Sequence, residues 1–323
     1  MKIQSEAIKD IKKLEDFCKF FGISEPQLAY LRKNKNKLIK VYWLPKRNGD
    51  YRTVYTTGDD GYRNFLKAIT EMLNSEYLHG ILPPPKSVHG FVKGKSIITN
   101  AGAHLQKKIL LNLDIKNFFD SIKAEQVNKV FNDIGFTKKH ASILTELVTA
   151  QGVLATGFST SPVLANIICR LMDAVFEKYC EKCGAVYTRY ADDISISSDR
   201  SIPTKENIAK ILDTNGFKIN EDKYKISRRG GSQYVTGLTV SGERPRLPRR
   251  LKRLIRLELY YIKKYGFMNH FIHRSEKHFP SKFTRTLMEG YSAHGYISYV
   301  HSIEPKLAKK MWIEAKVSGK LSE

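Results

Sequence analysis

Two short alternating runs of β-branched and aromatic residues flank the tetrapeptide Tyr190-Ala191-Asp192-Asp193. These runs, Val186–Arg189 and Ile194–Ser197, predict two strands joined by a tight turn. Adjacent carboxylates at such a turn repel each other, so a fold that holds them together needs divalent cations or basic groups nearby. The alternative is a polar surface turn, in which aspartate is common. Other parts of the chain must distinguish the two.

The charge balance favours a polyanionic partner. The 323 residues include 55 Lys plus Arg against 32 Asp plus Glu, a net charge of +23. Nucleic acid is the first candidate because neutralising phosphates releases counterions, and an anionic membrane surface is the rival. No long apolar run predicts a transmembrane helix, and Met1–Asp10 lacks the apolar core of a signal peptide. We therefore expect a soluble cytoplasmic protein with no membrane partner.

The cysteines and histidines give little support for zinc or disulfides. Cys180 and Cys183 form a single CxxC, whereas zinc needs four ligands, and four cysteines are too few for a disulfide framework. The clustered histidines His270, His273 and His278 lie in a basic, aromatic region. The cysteine pair and the histidine cluster are predicted to be structural or to lie on the surface, with metal binding as the minor alternative.

A second apolar run supplies another carboxylate. Ile109–Asp114 is nearly continuous in apolar residues, which predicts a strand buried on both faces that ends in Asp114. Phe118 and Phe119 then lead into a helix whose apolar face includes Val127. Asp114 alone could cap the next element. Together with the Asp192-Asp193 hairpin, it offers the carboxylates that a site for two cations needs.

The segments before this strand predict a mostly helical region with one hairpin. Ser24 is a predicted helix cap, and Asn48-Gly49 is a strong hairpin turn signal. The predicted elements are a helix over Ile8–Phe21, a short helix ending near Leu31, a solvated connection at Lys33–Lys37, strands Val41–Pro45 and Tyr51–Tyr55, and a helix over Tyr62–Leu78. The basic residues Lys46, Arg47 and Arg52 would lie on the hairpin, where they would contact phosphates or form its solvated face.

The segments after it predict a long core helix and further strands. Ser161 is the predicted N-cap, with Pro162 at the first helical position, and Gly157 precedes them. Because glycine leaves the backbone uncovered, a nucleotide or template strand could approach there. The remaining predictions are a helix over Ile208–Leu212 closed by Gly216 and a strand over Tyr234–Val240.

A dense run of cations follows Pro248. Arginines and lysines interleave with leucine and isoleucine, so one face of a helix would pack while the other is cationic. Such a helix suits a nucleic-acid backbone, although an ordinary amphipathic surface helix is the alternative. The cations are Arg249, Arg250, Lys252, Arg253 and Arg256.

Several blocks, in their order and separation, together resemble the palm of reverse transcriptases. They are Asp114-Ile115 with Phe118-Phe119, Gly157 with Ser161-Pro162 and Asn166, Tyr190-Ala191-Asp192-Asp193, and Gly216 with Lys223. The tetrapeptide alone occurs by chance, but the ordered set is highly specific and covers roughly Val41 to Val240. In addition, Asn100–His104 resembles the NAxxH element of bacterial retron reverse transcriptases, and Val235-Thr236-Gly237 resembles their VTG element.

This resemblance implies an α+β right-hand polymerase fold. The expected regions are an N-terminal helical extension over 1–40, fingers over 41–108, a palm over 109–240 with a fingers insertion near 121–155, and a basic helical thumb over 241–323. The palm is an antiparallel sheet backed by helices. The thumb pattern accounts for the residues after Pro248, so we expect no nuclease domain there.

The resemblance also implies two Mg²⁺ ions held by Asp114 and Asp192. Asp193 is expected to be a weaker or supporting ligand, because successive strand side chains point to opposite faces. The Ile115 carbonyl is a further candidate ligand. All three aspartates are predicted to be catalytic.

Candidate dNTP-binding residues come from the same resemblance. Phe119 matches the position where an aromatic ring lies under the sugar and excludes a 2′-hydroxyl; the alternative is a core phenylalanine beside Phe118. Arg52 and Lys95 are candidates for the triphosphate, and Lys223 for the pyrophosphate. Gly157 matches the family, but Ala155-Thr156 replaces the usual Pro-Gln before it, which puts a side-chain contact there in doubt.

The implied partners are a structured noncoding RNA, its branched RNA-linked DNA product (msDNA) primed from an RNA 2′-hydroxyl, dNTPs and a separate effector protein in anti-phage defence. Candidate RNA-binding residues are Asn100, His104, Val235, Thr236, Gly237, Arg249, Arg250 and Arg253. The alternatives are a group II intron-like or diversity-generating reverse transcriptase, or a catalytically silent RNA-binding scaffold.

Overall fold

A computed structural model describes residues 8–46, 49–80, 82–266, 269 and 293–316. The chain divides into two compact units. Unit 1 contains the described residues of Met1–Ser96 and Lys108–Ser227, and unit 2 contains those of Ile97–Lys107 and Arg228–Glu323. The chain therefore passes from unit 1 to unit 2 after Ser96, returns to unit 1 at Lys108 and enters unit 2 again at Arg228. Arg47 and Asn48 of the predicted hairpin turn, and His270, His273 and His278, lie outside the described residues.

The strands of both units are short. In chain order they are β1 (Ile39–Pro45), β2 (Tyr51–Thr57), β3 (Ile109–Asp114), β4 (Thr149–Ala150), β5 (Val153–Leu154), β6 (Ala185–Tyr190), β7 (Asp193–Ser198), β8 (Lys225–Arg228), β9 (Tyr234–Val235) and β10 (Leu238–Thr239). The last two belong to unit 2.

Helices make up most of the remaining described chain. They are α1 (Leu14–Phe21), α2 (Glu25–Leu38), α3 (Asp60–His79), α4 (Ile97–Gly102), α5 (Phe118–Ser121), α6 (Ala124–Ile134), α7 (Lys138–Val148), α8 (Ser161–Lys182), α9 (Lys205–Thr214), α10 (Arg249–Tyr265), α11 (Ala293–Ile303) and α12 (Pro305–Lys316). Helices α4 and α10 to α12 belong to unit 2. Among the described helices, none combines the length and apolar character needed to cross a membrane.

The central sheet of unit 1 has the strand order β6-β7-β3-β8. Strand β7 runs antiparallel to both β6 and β3. Its middle residues are buried, as expected for a strand between two others that is covered on both faces. The predicted strand over Ile109–Asp114 and the predicted hairpin around Ala191-Asp192 are both confirmed.

Helix α8 lies against this sheet and fills the core beneath the hairpin. Its buried face includes Leu164 and Phe176, and the Phe176 ring stacks on Tyr187 of β6 with centroids 4.8 Å apart. Aromatic stacking of this kind adds to the free energy of apolar burial. The hairpin therefore rests on a tightly packed base.

Three local predictions are wrong. Lys33–Lys37 continues helix α2 to Leu38, because lysine favours helices and Leu28 and Leu31 anchor the helix in the core. The first helix is interrupted, since α1 begins only at Leu14. Ser161 is the first helical residue and Thr160 the N-cap; the Ser161 hydroxyl donates instead to the Ala155 carbonyl, 2.6 Å away.

A fourth prediction, the strand Tyr234–Val240, is also wrong. The segment forms the two short strands β9 and β10, which pair antiparallel around Thr236-Gly237. Both turn residues have positive φ, +45° for Thr236 and +80° for Gly237, and glycine allows this at no steric cost. The glycine in the apolar pattern therefore marks a turn.

Unit 2 combines this small hairpin with helices. Helix α4 packs on β9 and β10. Lys252 of α10 forms an ion pair with Glu304 at 2.7 Å, and the Glu304 carboxylate also accepts a hydrogen bond from the Leu247 amide. The predicted regions over 1–40, 41–108, 109–240 and 241–323 cut the chain at other positions than the two units do, and they stay a prediction.

Candidate active site

Strand pairing brings the three predicted catalytic aspartates to one edge of the sheet. Asp114 is the last residue of β3 and lies opposite Asp193, the first residue of β7. Asp193 also pairs with Tyr190 of β6, so Ala191 and Asp192 form the turn between the two strands. The Ile115 amide donates a hydrogen bond to the Asp192 carbonyl at 2.9 Å. Backbone contacts thus hold the turn beside the end of β3.

Asp114 and Asp192 share the interior of the site. The Asp114 carboxylate is buried, and the Asp192 carboxyl group lies within hydrogen-bonding reach of it. Burial first, and the Asp114 charge second, raise the pKa of Asp192 above its ordinary value. The two carboxyl groups therefore repel each other whenever both are charged.

Asp193 lies at the outer side of the same cluster. Its side chain reaches solvent, but the protein around its base excludes water. This burial, followed by the charges of Asp192 and Asp114, raises the pKa of Asp193 to about 6. The difference in exposure agrees with unequal roles for the two adjacent acids.

Lys223 and Asn220 occupy both oxygens of Asp114. The Lys223 Nζ lies 2.9 Å from Asp114 Oδ1, and the Asn220 Nδ2 lies 2.9 Å from Oδ2. The Asn220 amide also donates to the Asp114 carbonyl at 2.8 Å. Although partial burial opposes it, the contact with Asp114 and the neighbouring carboxylates raise the pKa of Lys223. This lysine therefore holds its proton.

The Lys223 ammonium group contacts Asp114, one of the predicted catalytic carboxylates, and its contact with pyrophosphate stays a prediction. Sequence reasoning did not single out Asn220. The available signal was a polar residue shortly after the alternating Phe217–Ile219 segment, three positions before the lysine. That signal is weak because asparagine is common at turns.

The donor set fits divalent cations. Hard cations such as Mg²⁺ take oxygen ligands, and Asp114 and Asp192 supply carboxyl oxygens side by side. Within the described ranges, however, no three acidic, histidine or cysteine side chains are arranged to enclose an ion as they stand. Lys223 and a cation would therefore compete for Asp114 Oδ1. The Ile115 carbonyl stays a predicted ligand.

The two adjacent phenylalanines have different environments. Phe118 is buried and packs against Phe217, with centroids 5.7 Å apart. Phe119 is half-buried and meets Phe118 edge to face at 5.2 Å. Phe118 is thus the core residue, whereas Phe119 retains an accessible face beside the end of β3.

Gly157 has a structural reason to lack a side chain. A Cβ atom there would lie 2.5 Å from the Tyr55 carbonyl oxygen, and the glycine has a φ of +105°. The Tyr55 amide donates to the Thr156 carbonyl at 2.7 Å, which holds β2 against this loop. The close approach therefore involves protein backbone, and a nucleotide contact at Gly157 stays a prediction.

The two candidate triphosphate ligands lie on different segments. Arg52 is exposed on β2, opposite Leu44 of β1. The Lys95 ammonium donates to the Lys86 carbonyl, and burial lowers the pKa of Lys95. Among the contacts of the described residues, neither Arg52 nor Lys95 reaches Asp114, Asp192 or Asp193. The binding of Arg52 and Lys95 to dNTP stays a prediction.

Unit 2 brings the two retron-like elements together. Asn100 and His104 are buried, as is Val235, whereas Thr236 is half-buried and Gly237 exposed. The Thr236 hydroxyl donates to the Ile97 carbonyl at 3.2 Å, and the Asn100 side-chain amide lies 3.5 Å from that hydroxyl. The buried residues of these two elements thus support the turn at Thr236-Gly237. The predicted RNA-binding arginines Arg249, Arg250 and Arg253 are exposed on α10, as is Arg256.

Paired aspartates at one edge of an antiparallel sheet, with a lysine beside them, fit the class of enzymes that act on phosphate esters with bound metal ions, which includes polymerases. A sequence model of the family described as reverse transcriptase (RNA-dependent DNA polymerase) matches residues 44–252. The chain therefore belongs to the reverse transcriptase family, and it is an RNA-directed DNA polymerase.

Curated relatives place it near the retron reverse transcriptases. It is 32% identical to the Escherichia coli retron Ec73 reverse transcriptase over 86% of this chain and 88% of that protein. Identity to the E. coli retron Ec86 enzyme is 30%, over 77% of this chain and 78% of the relative. The Myxococcus xanthus retron Mx65 enzyme is 32% identical over 76% of this chain and 63% of its own length.

A likeness among solved structures is weaker. A structure of Candida albicans telomerase, in complex with a TWJ fragment of telomeric RNA, aligns with a TM-score of 0.48 and 12% identity. The alignment covers 90% of this chain and 62% of that one.

Proposed function

We propose that this reverse transcriptase is the polymerase of a retron. It copies a structured noncoding RNA from its own locus, starts from an RNA 2′-hydroxyl, and leaves msDNA joined to RNA. The relatives named above support this, because retron enzymes align over most of the chain. The proposal includes a separate effector protein and a role in anti-phage defence.

The central observation is the meeting of Asp114 and Asp192 at the end of β3. Mg²⁺ bound at these carboxylates would supply Lewis-acid chemistry, namely activation of the primer hydroxyl and stabilisation of the leaving pyrophosphate. Asp114 and Asp192 would hold the ions, with support from Asp193 and the Ile115 carbonyl. Attack on the dNTP α-phosphate would then occur above this edge of the sheet.

Lys223 has two roles in the proposal. While it contacts Asp114, its positive charge offsets part of the carboxylate repulsion. Once it leaves Asp114, it is still a charged group, because the ordinary pKa of a lysine lies well above neutral pH, and it can steady the pyrophosphate or donate a proton to it. Asn220 keeps its amide bond to the Asp114 backbone during this exchange.

The remaining predicted residues would select and hold the substrates. Phe119 would lie under the deoxyribose, and Arg52, Lys95 and Gly157 would contact the nucleotide. Unit 1 would contain most of the fingers and palm, and α10 would belong to the thumb. The RNA-binding residues would be Asn100, His104, Val235, Thr236, Gly237, Arg249, Arg250 and Arg253.

The deciding experiment extracts nucleic acid from the protein purified with its native locus. We expect DNA that stays attached to RNA until a debranching enzyme is added. An active enzyme that yields only free DNA would contradict the retron assignment and favour a group II intron-like or diversity-generating type. Asp192→Asn, expressed from the same locus, is the matched control and should yield no DNA.

Asp192→Asn also tests the metal assignment directly. Because the change removes a ligand charge but keeps the side-chain size, primer extension on a generic RNA template should disappear while the circular dichroism spectrum is preserved. Retained extension would refute the assignment of Asp192 as a metal ligand.

A further inference from the structure

A buried ion pair lies beneath the catalytic turn and is not part of the reaction described above. Arg189 and Asp173 are both fully buried. The guanidinium binds the carboxylate through two bonds of 2.7 Å, from Nε to Oδ1 and from Nη2 to Oδ2. Desolvation of two charges offsets much of their attraction, so a buried pair is a poor source of net stability. The two-bond geometry of the Arg189–Asp173 pair therefore needs an explanation other than net stability.

The third guanidinium nitrogen reaches the catalytic turn itself. Arg189 Nη1 donates to the Ala191 carbonyl at 3.0 Å and to Asn166 Oδ1 at 3.1 Å. Ala191 has a φ of +57°, a left-handed conformation that is unfavourable for a non-glycine residue. Such a conformation persists only where surrounding contacts impose it. Arg189 supplies one of these contacts.

The loop before α4 supplies the other contacts. The Asn166 side-chain amide donates to the Gly90 carbonyl at 2.8 Å, and a Cβ at Gly90 would lie only 2.4 Å from the Ala191 nitrogen. His89 and Ser87 exchange backbone hydrogen bonds of 2.8 and 3.0 Å with Arg189. The turn is therefore enclosed by the loop on one side and by the guanidinium below.

Asp173 is itself held in place. The Tyr187 hydroxyl donates to Asp173 Oδ1 at 2.7 Å, and the Tyr187 ring stacks on Phe176. The Arg189 guanidinium is planar and rigid, so two bonds to a fixed carboxylate determine where its third nitrogen points. The position of Ala191 is thus linked to helix α8.

We propose that Arg189 is a positioning residue of the polymerase, which holds the Ala191 carbonyl so that the Asp192 carboxylate stays beside Asp114. Asp173 and Asn166 orient the guanidinium for this task. Displacement of a reacting group by about 1 Å can reduce a rate about 100-fold. Loss of the contact should therefore impair cation binding and the chemical step while the fold persists.

The test replaces the whole charged network by apolar groups. The triple variant Arg189→Met, Asp173→Leu, Tyr187→Phe leaves neither charge unpaired, so it should fold. We expect the rate of a single nucleotide addition at saturating dNTP to fall about 100-fold. The Mg²⁺ concentration for half-maximal rate should rise about tenfold, as for other residues that orient metal ligands.

Tyr187→Phe alone is the matched control. It removes one hydrogen bond from Asp173 but leaves both Arg189 bonds to Asp173, so the changes in addition rate and Mg²⁺ dependence should be much smaller than in the triple variant. The burst amplitude of primer extension counts active molecules in any variant whose addition rate is unchanged, and the circular dichroism spectrum reports the folded fraction of a slower variant.

Two results would overturn the proposal. One is a folded triple variant with the wild-type addition rate and Mg²⁺ dependence. The other is a lower burst amplitude at an unchanged rate, which indicates partial unfolding only. Should the triple variant not fold, Arg189→Lys decides, because a lysine keeps the charge but cannot contact Asp173 and Ala191 together. Wild-type rate and Mg²⁺ dependence in that variant would also refute the proposal.

Discussion

At the residue scale, Asp193 links catalysis to stability. A carboxyl group whose pKa rises on folding binds its proton more tightly in the folded state. Stability therefore falls as the pH rises from the ordinary value of 3.8 towards the folded pKa of about 6. Above that range the aspartates repel one another, and only a cation or Lys223 offsets the repulsion.

Replacing Asp193 should consequently stabilise the metal-free protein. We expect Asp193→Asn to raise the melting temperature in EDTA at pH 8 by roughly 1–3 °C, because one repelling charge is removed. The gain should shrink at pH 5, where the wild-type group is largely protonated. Asp213→Asn, at an exposed position on α9, is the control and should have little effect at either pH. A gain that is larger at pH 5 would contradict this account.

Sugar selection is the second prediction at this scale. Phe119→Ala should increase incorporation of rNTPs relative to dNTPs, because the ring that would clash with a 2′-hydroxyl is removed. The ratio of kcat/KM for matched rNTP and dNTP measures this. Phe119→Tyr keeps the ring and should keep the dNTP preference. An unchanged ratio in Phe119→Ala would place the selecting group elsewhere.

Residue roles were predictable from the sequence only where a local pattern marked them. Asp114 ends an apolar run, and Asp192 and Asp193 lie between two alternating runs. Asn220 was missed because its contact with Asp114 joins residues 106 positions apart. Arg189 was assigned only to a strand, since nothing near it in the sequence marks Asp173 as its partner.

At the scale of elements, backbone packing explains the glycine before α8. Gly157→Ala should destabilise the protein by about 3 kcal/mol, because the new Cβ meets the Tyr55 carbonyl and the backbone conformation is strained. Gly152→Ala is the matched control: its φ is +77°, but nothing lies within 4 Å of the added atom. Its cost should be about 1 kcal/mol. Urea unfolding measures both, and equal losses would contradict the steric argument.

Elements with a strong period were the predictable ones. Strand β3 and the helix over Asp60–His79 follow patterns set by burial. The strand predicted over Tyr234–Val240 was wrong because one strand and a hairpin of two-residue strands show the same alternation of apolar and polar residues. Only the φ angles of the turn distinguish the two structures. The connection predicted at Lys33–Lys37 was wrong because a charged run is compatible with both a loop and an exposed helical turn.

At the scale of the whole molecule, the net charge of +23 predicts strongly salt-dependent binding. Replacing Arg249, Arg250 and Arg253 by Gln should lower the slope of log Kd against log salt for the cognate RNA by about 2–3. The same charge change at Lys33, Lys37 and Lys139, which are exposed in unit 1, should leave the slope unchanged. Equal effects of the two triple variants would mean that α10 has no special role.

The connectivity of the two units has a consequence for the exchange of parts between related enzymes. Unit 2 contains Ile97–Lys107 as well as the residues from Arg228 onwards, and α4 packs on the β9–β10 hairpin. A chimaera that takes only the C-terminal segment from another retron enzyme would join a foreign hairpin to the original α4. Transplanting both segments together preserves that packing, so natural recombination and laboratory grafting should both favour paired crossovers around residues 97–107 and near residue 228.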